Sequence, residues 1–244
     1  MGSGKTTVVR VLAEGLGYEL VAENFSDNVF LPRFYKDMKR WAFHSQTFFL
    51  MEKLGQLKEL ALSADTPRAT PGVFCHSTEK IRQLKEISCL FSRHLRKAGL
   101  ATGIVQDTPI EQDVYSYAKT LKLQGKMHPE EYRLYKRIYR LSLESLPVPD
   151  YYIYLKTDIK NIVKRIEARR REYEKSVPLS YLKLLEKTNE TWLARIPAGK
   201  KIVVETDRLD FSRDKGAQKC LVEEVMGKVA SRKGRESFRP ACPP

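Results

Sequence analysis

Residues 1–17 read MGSGKTTVVRVLAEGLG, a glycine-rich turn followed by an amphipathic helical pattern, and the fold can be inferred from them. Gly4, Lys5 and Thr6 match the end of the phosphate-binding loop G-x-x-x-x-G-K-[ST]. Apolar residues then recur at helical spacing as far as Leu16. Backbone N–H groups at such a helix N-terminus bind phosphate. The stretch therefore predicts a nucleotide-binding α/β domain, against the alternative of a chance Gly-Ser-Gly-Lys turn.

The loop assigns chemistry to individual side chains. Lys5 can reach the β and γ phosphates of ATP, and the Thr6 hydroxyl can bind Mg²⁺. The residues predicted to hold the cofactor are Gly2, Ser3, Gly4, Lys5, Thr6 and Thr7. The first glycine of the motif would lie at position −1, and the strand that normally precedes such a loop is missing from the sequence. We expect the given start to be internal to a longer gene product, or the chain to be truncated.

The composition favours a phosphate-rich partner. The sequence holds 44 Lys and Arg against 30 Asp and Glu, a net charge of +14, which suits nucleotides, nucleic acid or an acidic membrane surface. The four cysteines lie far apart without C-x-x-C spacing, which argues against a zinc site or a disulfide framework. The sequence has neither a long apolar run nor a signal-peptide core, so we expect a cytoplasmic protein without a membrane partner.

Strands and helices are predicted to alternate along the chain. The candidate strands are YELVAE at 18–23, ATGIVQD at 101–107, DYYIYLK at 150–156 and KKIVVET at 200–206. The candidate helices are 5–16, 28–37, 39–60, 110–121, 128–146, 158–171, 179–194 and 212–231. This order predicts a doubly wound parallel sheet flanked by helices. Such sheets bind ligands beyond the carboxyl ends of their strands, where Glu23 and Asp107 lie.

Three stretches resemble the deoxynucleoside kinase family of P-loop kinases. They are VAENFSDNVFLPRFYKDMKRWAFHSQTFFL at 21–50, QDTPIEQDVYSYAKTLKLQGKM at 106–127 and RIEARRREYEKSVPLSYLKLLEKTNETWL at 165–193. They match the family's V-A-E strand end, its D-R-S-x-x-x-D segment and its arginine-rich lid, in that order. The resemblance implies transfer of the ATP γ-phosphate to the 5′-hydroxyl of a deoxynucleoside. It also implies a homodimer.

The resemblance further implies roles for single residues. Glu23 matches the catalytic carboxylate, and Gln46 matches the side-chain amide that reads the base edge. Tyr35 and Glu174 match the pair that contacts the sugar 3′-hydroxyl. Asp107 matches an acid that serves substrate and metal. As isolated residues, Glu23 would be an ordinary strand-end Glu and Gln46 an ordinary helix-face Gln.

Arg169 and Arg171 match the lid arginines, which neutralise charge on the transferring phosphoryl group beside Lys5. The lid covers residues 165–177. Without the resemblance, this run of basic and acidic residues would be a solvated helix face.

One departure from the family affects catalysis. Asp107, Thr108 and Pro109 stand where the family usually has D/E-R-S, so Thr108 replaces the arginine that would pair with the catalytic carboxylate. We expect a replacement cation from Lys5, the lid or Mg²⁺.

Other departures concern the domain organisation. Residues 1–231 are predicted to form a single domain with an insertion at 60–99, which contains EKIRQLKEI, an echo of EKLGQLKEL at 52–60. The insertion is expected to project from the domain or to add a helix to the dimer surface. Residues 232–244 are basic and proline-rich and are expected to form a disordered tail.

Two alternatives to a deoxynucleoside kinase stay open. A nucleoside monophosphate kinase would use the same loop, but it would need an arginine site for the acceptor phosphate. A catalytically impaired kinase-like protein could bind nucleic acid through its basic surface, as the net charge and Thr108 would allow. Base preference does not follow from the sequence, since Gln46 suits purine and pyrimidine edges alike.

Overall fold

Helices and strands alternate in the computed structural model, which describes residues 2–23, 27–65, 103–142, 148–169, 171, 174 and 177–236. The strands are β1 (Glu19–Val21), β2 (Ile104–Gln106), β3 (Tyr152–Lys156) and β4 (Lys201–Glu205). The helices are α1 (Lys5–Leu16), α2 (Leu31–Lys36), α3 (Met38–Asp65), α4 (Ile110–Gln112), α5 (Ala118–Leu123), α6 (Pro129–Ser142), α7 (Ile159–Ala168), α8 (Leu179–Leu193) and α9 (Lys215–Glu236). A π-helical turn, Asp113–Tyr117, joins α4 to α5, and a 3-10 turn, Ala198–Lys200, precedes β4. Each predicted strand is present.

The described residues fall into two compact units. The first unit contains residues 2–3, 22–65 and those described within 106–207. The second unit contains residues 4–21, 103–105 and 208–236. Four strands are described, as the pairs β1–β2 and β3–β4.

In the second unit, two glycines determine how α1 ends and packs. Gly17 follows the helix at φ 65°, and its N–H donates to the Glu14 carbonyl. This left-handed conformation is accessible to glycine at little cost, so α1 ends here. Gly15 lies against α9: a Cβ at this position would lie 2.5 Å from Cγ2 of Val222. The close approach of the two helices therefore depends on a residue without a side chain.

In the first unit, the core forms between α3 and the helices around it. Its buried members include Ala42, Leu50, Leu54, Leu57, Val114, Ala118, Leu121, Tyr135, Tyr181 and Leu185. The buried positions of α3 recur at intervals of three, four and eight residues, so one face of this helix is turned inward. The core thus fixes which side chains of α3 lie in the interior.

The β3–β4 pair is parallel over five residues, from Tyr152 opposite Lys201 to Lys156 opposite Glu205. Burial alternates along β4: Ile202 is fully buried, whereas Val203 is 46% exposed. Beyond the strand end, the Arg165 guanidinium donates to the Thr206 carbonyl at 2.8 Å. These contacts hold α7 close to the carboxyl end of β4.

The helix predicted at 110–121 differs from a regular α-helix. It contains the π-helical turn, and its polar side chains Gln112, Ser116 and Thr120 face α8. Gln112 and Ser116 both donate to Asn189 Oδ1, at 2.8 and 2.6 Å, and Thr120 Oγ1 lies 2.7 Å from Thr188 Oγ1. Spacing alone predicted one regular helix because π turns are not visible in a hydrophobic pattern.

Two predicted segments extend beyond what the structure describes. Helix α3 continues to Asp65, and residues 66–99 of the predicted insertion lie outside the described residues. Helix α9 continues to Glu236, so residues 232–236 of the predicted tail are helical, and 237–244 lie outside the description.

Among the helices of the described ranges, none combines the length and the apolar character needed to cross a bilayer.

We predict that Ile202→Ala lowers the free energy of unfolding by about 2–5 kcal/mol, because a fully buried side chain leaves a cavity. The neighbouring Val203→Ala is the matched control, and the half-exposed position should cost less than about 1 kcal/mol. Urea unfolding measures both values. Equal losses of unfolding free energy at the two positions would contradict the described alternation of burial along β4.

Alkaline pH should destabilise the first unit through Tyr181. Burial, together with the nearby Tyr117, raises the pKa of Tyr181 well above its ordinary value. Below about pH 10 the phenol is protonated in both states; above it, only the unfolded state ionises, so stability falls as the pH rises. We expect the unfolding free energy of Tyr181→Phe to decrease less steeply with pH above pH 10, by about 1.4 kcal/mol per pH unit. Urea unfolding at several pH values measures this slope. Identical slopes above pH 10 for the two proteins would refute this assignment.

Candidate active site

The glycine-rich turn before α1 has the backbone that a phosphate loop requires. Gly2 and Gly4 have φ of 71° and 89°, a region that favours glycine. The N–H groups of Thr7 and Val8 both donate to the Gly4 carbonyl at 3.1 Å, so the helix begins at Lys5. The turn thus gives way directly to a helix N-terminus, where the helix dipole attracts anions.

Gly2 is also constrained by packing within the first unit. A Cβ at this position would lie 2.9 Å from Cγ2 of Ile162 on α7. The Ser3 carbonyl accepts a hydrogen bond from the Arg165 guanidinium at 3.4 Å. Side chains of α7 therefore hold the start of the turn.

Glu23 belongs to a buried cluster of three charged side chains. Its Oε1 lies 2.7 Å from Nζ of Lys53 on α3, and the same Nζ lies 2.5 Å from Asp113 Oδ2. The side chains of Lys53, Glu23 and Asp113 are 3%, 8% and 5% exposed. One ammonium group therefore bridges Glu23, two residues after β1, and Asp113, the first residue of the π-helical turn.

The electrostatics of this cluster keep Lys53 protonated. Burial by itself would lower the pKa of Lys53, since it penalises the charged form. The charges of Asp113 and Glu23 and their hydrogen bonds outweigh burial and raise the pKa well above the ordinary value. Lys53 is therefore a permanent cation at any pH near neutrality.

Asp107 and Thr108 lie buried just after β2. The Thr108 hydroxyl donates to Asp107 Oδ1 at 3.1 Å. Thr108 has φ of 60°, a left-handed conformation that costs a residue with a Cβ about 1–2 kcal/mol. This turn orients the Asp107 carboxylate and commits the Thr108 side chain to it.

Gln46 and Tyr35 lie in the first unit, on α3 and α2. Gln46 is buried, and its Oε1 has no hydrogen-bond partner within the described part of the chain. Its backbone carbonyl accepts from the Tyr135 hydroxyl at 3.4 Å. Tyr35 is half-buried and packs edge-on against Phe34, with 5.1 Å between ring centroids. A buried amide oxygen that lacks a donor is suited to a ligand that supplies one.

The lid residues divide into a paired and an exposed group. Arg171 Nη1 lies 3.4 Å from Oε1 of Glu174, whose side chain is 6% exposed. Oε2 of Glu174 is buried and has no partner among the residues that the structure describes. Arg169 lies directly after α7 and is exposed. The structure therefore joins two of the predicted residues, Arg171 and Glu174, in one ion pair.

The residues predicted for magnesium carry suitable donors. Asp107 offers a carboxylate and Thr6 a hydroxyl, the hard oxygen ligands that Mg²⁺ takes. Within the described ranges there is no group of three or more His, Cys, Asp or Glu side chains that could hold a metal ion. Magnesium is commonly bound by one or two carboxylates together with substrate phosphates.

The sequence analysis missed Lys53 and Asp113. The expected sources of a cation for Glu23 were Lys5, the lid or Mg²⁺; the cation in contact with Glu23 is instead Lys53. A signal was present, because Lys53 lies seven residues after Gln46, on the face of α3 that contains Leu50, Leu54 and Leu57. A lysine in an apolar stripe is rarely buried without a partner.

Comparisons with known proteins identify the family of this chain. The family model described as deoxynucleoside kinase matches residues 1–230. The deoxyadenosine/deoxycytidine kinase of Bacillus subtilis (strain 168) is 28% identical, over 92% of this chain and 88% of that protein. The deoxyguanosine kinase of the same strain is 27% identical, over 88% of this chain and 87% of that protein.

The fold has a solved counterpart. A structure of deoxyadenosine kinase from M. mycoides with bound dCTP aligns with a TM-score of 0.64 and 22% identity, covering 95% of both chains. The predicted P-loop kinase fold and the predicted class of enzyme, a kinase, are confirmed. Because the family model matches nearly the whole chain, the protein belongs to the deoxynucleoside kinase family.

Proposed function

We propose that this protein transfers the γ-phosphate of ATP to the 5′-hydroxyl of a deoxynucleoside, with Glu23 as the general base. The observation that carries the proposal is the buried Glu23 carboxylate, located after β1 and held 2.7 Å from the permanent cation Lys53. A carboxylate at a strand end can accept a proton from an attacking hydroxyl.

The reaction has one proton transfer and one phosphoryl transfer. Glu23 accepts the proton of the 5′-hydroxyl as that oxygen forms a bond to the γ-phosphorus. The bond between the γ-phosphorus and the β–γ bridging oxygen breaks, and ADP leaves. Lys5 and the lid arginines Arg169 and Arg171 neutralise the charge on the transferring group. Gly2, Ser3, Gly4, Thr6 and Thr7 complete the set assigned to the phosphates of ATP.

Magnesium belongs to the proposal. Asp107 and Thr6 would hold it, and when bound it would neutralise negative charge on the β and γ phosphate oxygens. The hydrogen bond from Thr108 fixes the Asp107 carboxylate, which supports a defined role for this side chain.

The deoxynucleoside is assigned to residues of the first unit. The unpartnered Oε1 of Gln46 supports recognition of a base edge, since an exocyclic amino group could donate to it. The unpartnered Oε2 of Glu174, together with Tyr35, supports recognition of the sugar 3′-hydroxyl. Relatives are named for deoxyadenosine, deoxycytidine and deoxyguanosine, so a choice among these bases has to be measured.

We further propose that residues 1–231 act as one kinase domain, as a homodimer in the cytoplasm. The family match over residues 1–230 supports the single domain. The widely spaced cysteines support the cytoplasmic location. The resemblance to the family supports the homodimer. Analytical ultracentrifugation tests the oligomeric state.

Glu23→Gln should abolish most of the activity. We expect kcat to fall by about 10²–10⁴-fold with KM values close to the wild type, because the amide cannot accept the proton. The assay supplies ATP, Mg²⁺ and each deoxynucleoside in turn and measures the 5′-monophosphate. Glu205→Gln is the matched control, since this strand-end Glu is exposed and pairs only with the surface Lys156 within the described chain. No product from the wild-type protein with any deoxynucleoside would exclude the proposed function.

Gln46→Leu should impair recognition of the base. We expect KM for the preferred deoxynucleoside to rise by about 10–100-fold, as befits about 1–3 kcal/mol for a lost bidentate contact. KM for ATP serves as the internal control and should change little. A proportional rise in both KM values would argue against a base-reading role.

A further inference from the structure

We infer that Lys53 is a positioning residue for the proposed phosphoryl transfer: it replaces, from helix α3, the cation that Thr108 cannot supply beside Glu23. The inference rests on the proposed function. It concerns how the Glu23 carboxylate is held in place.

The first argument is that Thr108 cannot act on Glu23 as a cation. The side chain is neutral, and its hydroxyl is committed to Asp107 Oδ1 at 3.1 Å. A buried carboxylate without a nearby positive charge is strongly disfavoured, since burial penalises the ionised form. A general base has to be ionised before it can accept a proton, so Glu23 needs a cation from elsewhere.

The second argument is the geometry of Lys53. Its Nζ lies 2.7 Å from Glu23 Oε1, within the range of a charge-assisted hydrogen bond. The contact fixes one carboxylate oxygen and leaves Oε2 as the oxygen that we assign to accept the proton. A single hydrogen bond at one oxygen thus orients the carboxylate without using both of its acceptors.

The third argument is the role of Asp113. This residue holds the same Nζ from the opposite element, the π-helical turn, so the Lys53 side chain cannot swing away from Glu23 without breaking a second ion pair. Two carboxylates share one ammonium, and the cluster carries a net negative charge. Glu23 is therefore oriented by Lys53 within a cluster that holds two carboxylates and one ammonium.

The main experiment compares four proteins: wild type, Lys53→Arg, Lys53→Met and the double variant Lys53→Met/Thr108→Arg. Each is assayed as the full chain with ATP, Mg²⁺ and the preferred deoxynucleoside. For Lys53→Met we expect kcat to fall by about 100-fold or more, while both KM values change by less than about threefold. Lys53→Arg keeps the charge and should retain activity within about tenfold of wild type.

The double variant provides the decisive rescue. An arginine at position 108 restores the residue that the family pattern has there, and it removes a β-branched residue from a left-handed backbone. We expect Thr108→Arg to restore kcat by at least about tenfold in the Lys53→Met background. Failure of this rescue in a folded protein would overturn the inference.

A substitution that leaves two buried carboxylates unpaired can prevent folding. Lys53→Met/Asp113→Leu removes the buried pair together, which is better tolerated than the loss of one partner. Circular dichroism and thermal unfolding check each variant. In the folded Lys53→Met/Asp113→Leu variant, we expect kcat to stay at least about 100-fold below the wild-type value. A kcat equal to that of the wild type would overturn the inference.

The KM values and Glu23→Gln separate this inference from its competitors. A Lys53→Met variant that raises KM for the deoxynucleoside and keeps kcat would assign Lys53 to substrate binding and overturn the inference. If Glu23→Gln is inactive and Lys53→Met is fully active, the inference fails and the proposed function stands. If Glu23→Gln keeps the wild-type kcat, the assignment of the base fails first.

Discussion

The two ion pairs of the buried Lys53 ammonium constrain separate segments of the first unit at once. Moving a lysine and two carboxylates out of water is costly, and their mutual attraction compensates only when the geometry is close. Here both contacts are at hydrogen-bonding distance. The triad joins three segments that are distant in sequence, and Lys53 is the one cation among its three charges. Local structure around Glu23 is thus tied to the packing of α3.

Irregular backbone conformations and buried polar contacts occur close together between Asp107 and Thr120. This segment holds a threonine in a left-handed conformation, a π-helical turn and a row of polar side chains directed at Asn189 and Thr188 on α8. Strained backbone and π turns persist when surrounding contacts hold them in place, and they occur often at functional sites. The polar contacts to α8 supply such support, and Asp113 is the first residue of the turn. These contacts hold the segment in its irregular geometry.

Gln46 Oε1 and Glu174 Oε2 are among the buried side-chain atoms that have no hydrogen-bond partner in the described part of the chain. Such atoms cost free energy in a folded protein unless a ligand or water donates to them. A deoxynucleoside carries amino and hydroxyl donors at its base and sugar, which fits the proposed roles of both residues. Glu174 also pairs with Arg171 at 3.4 Å, so one predicted lid arginine contacts the acid proposed for the sugar.

Much of the fold follows from local sequence. The periodicity of residues 5–16 and the glycine at position 17 specify α1, and the β-branched residues of KKIVVET specify β4. The loop motif and the family-like stretches also predicted the family and the class of enzyme, because short motifs encode phosphate-binding chemistry directly. The π turn in 110–121 was not predictable, since it arises from packing against α8 and not from residue spacing.

Among the candidate site residues, the sequence singled out Glu23 through its position at a strand end and through the match of VAE to the family's strand-end pattern. It did not single out Lys53, because a lysine on a helix is ordinarily solvated and its partner lies thirty residues away in sequence. Ion pairing between distant residues is decided by the tertiary packing that buries them, and burial gives the interaction its strength. The sequence by itself therefore determined the chemistry of the chain, and only the tertiary structure decided which cation serves Glu23.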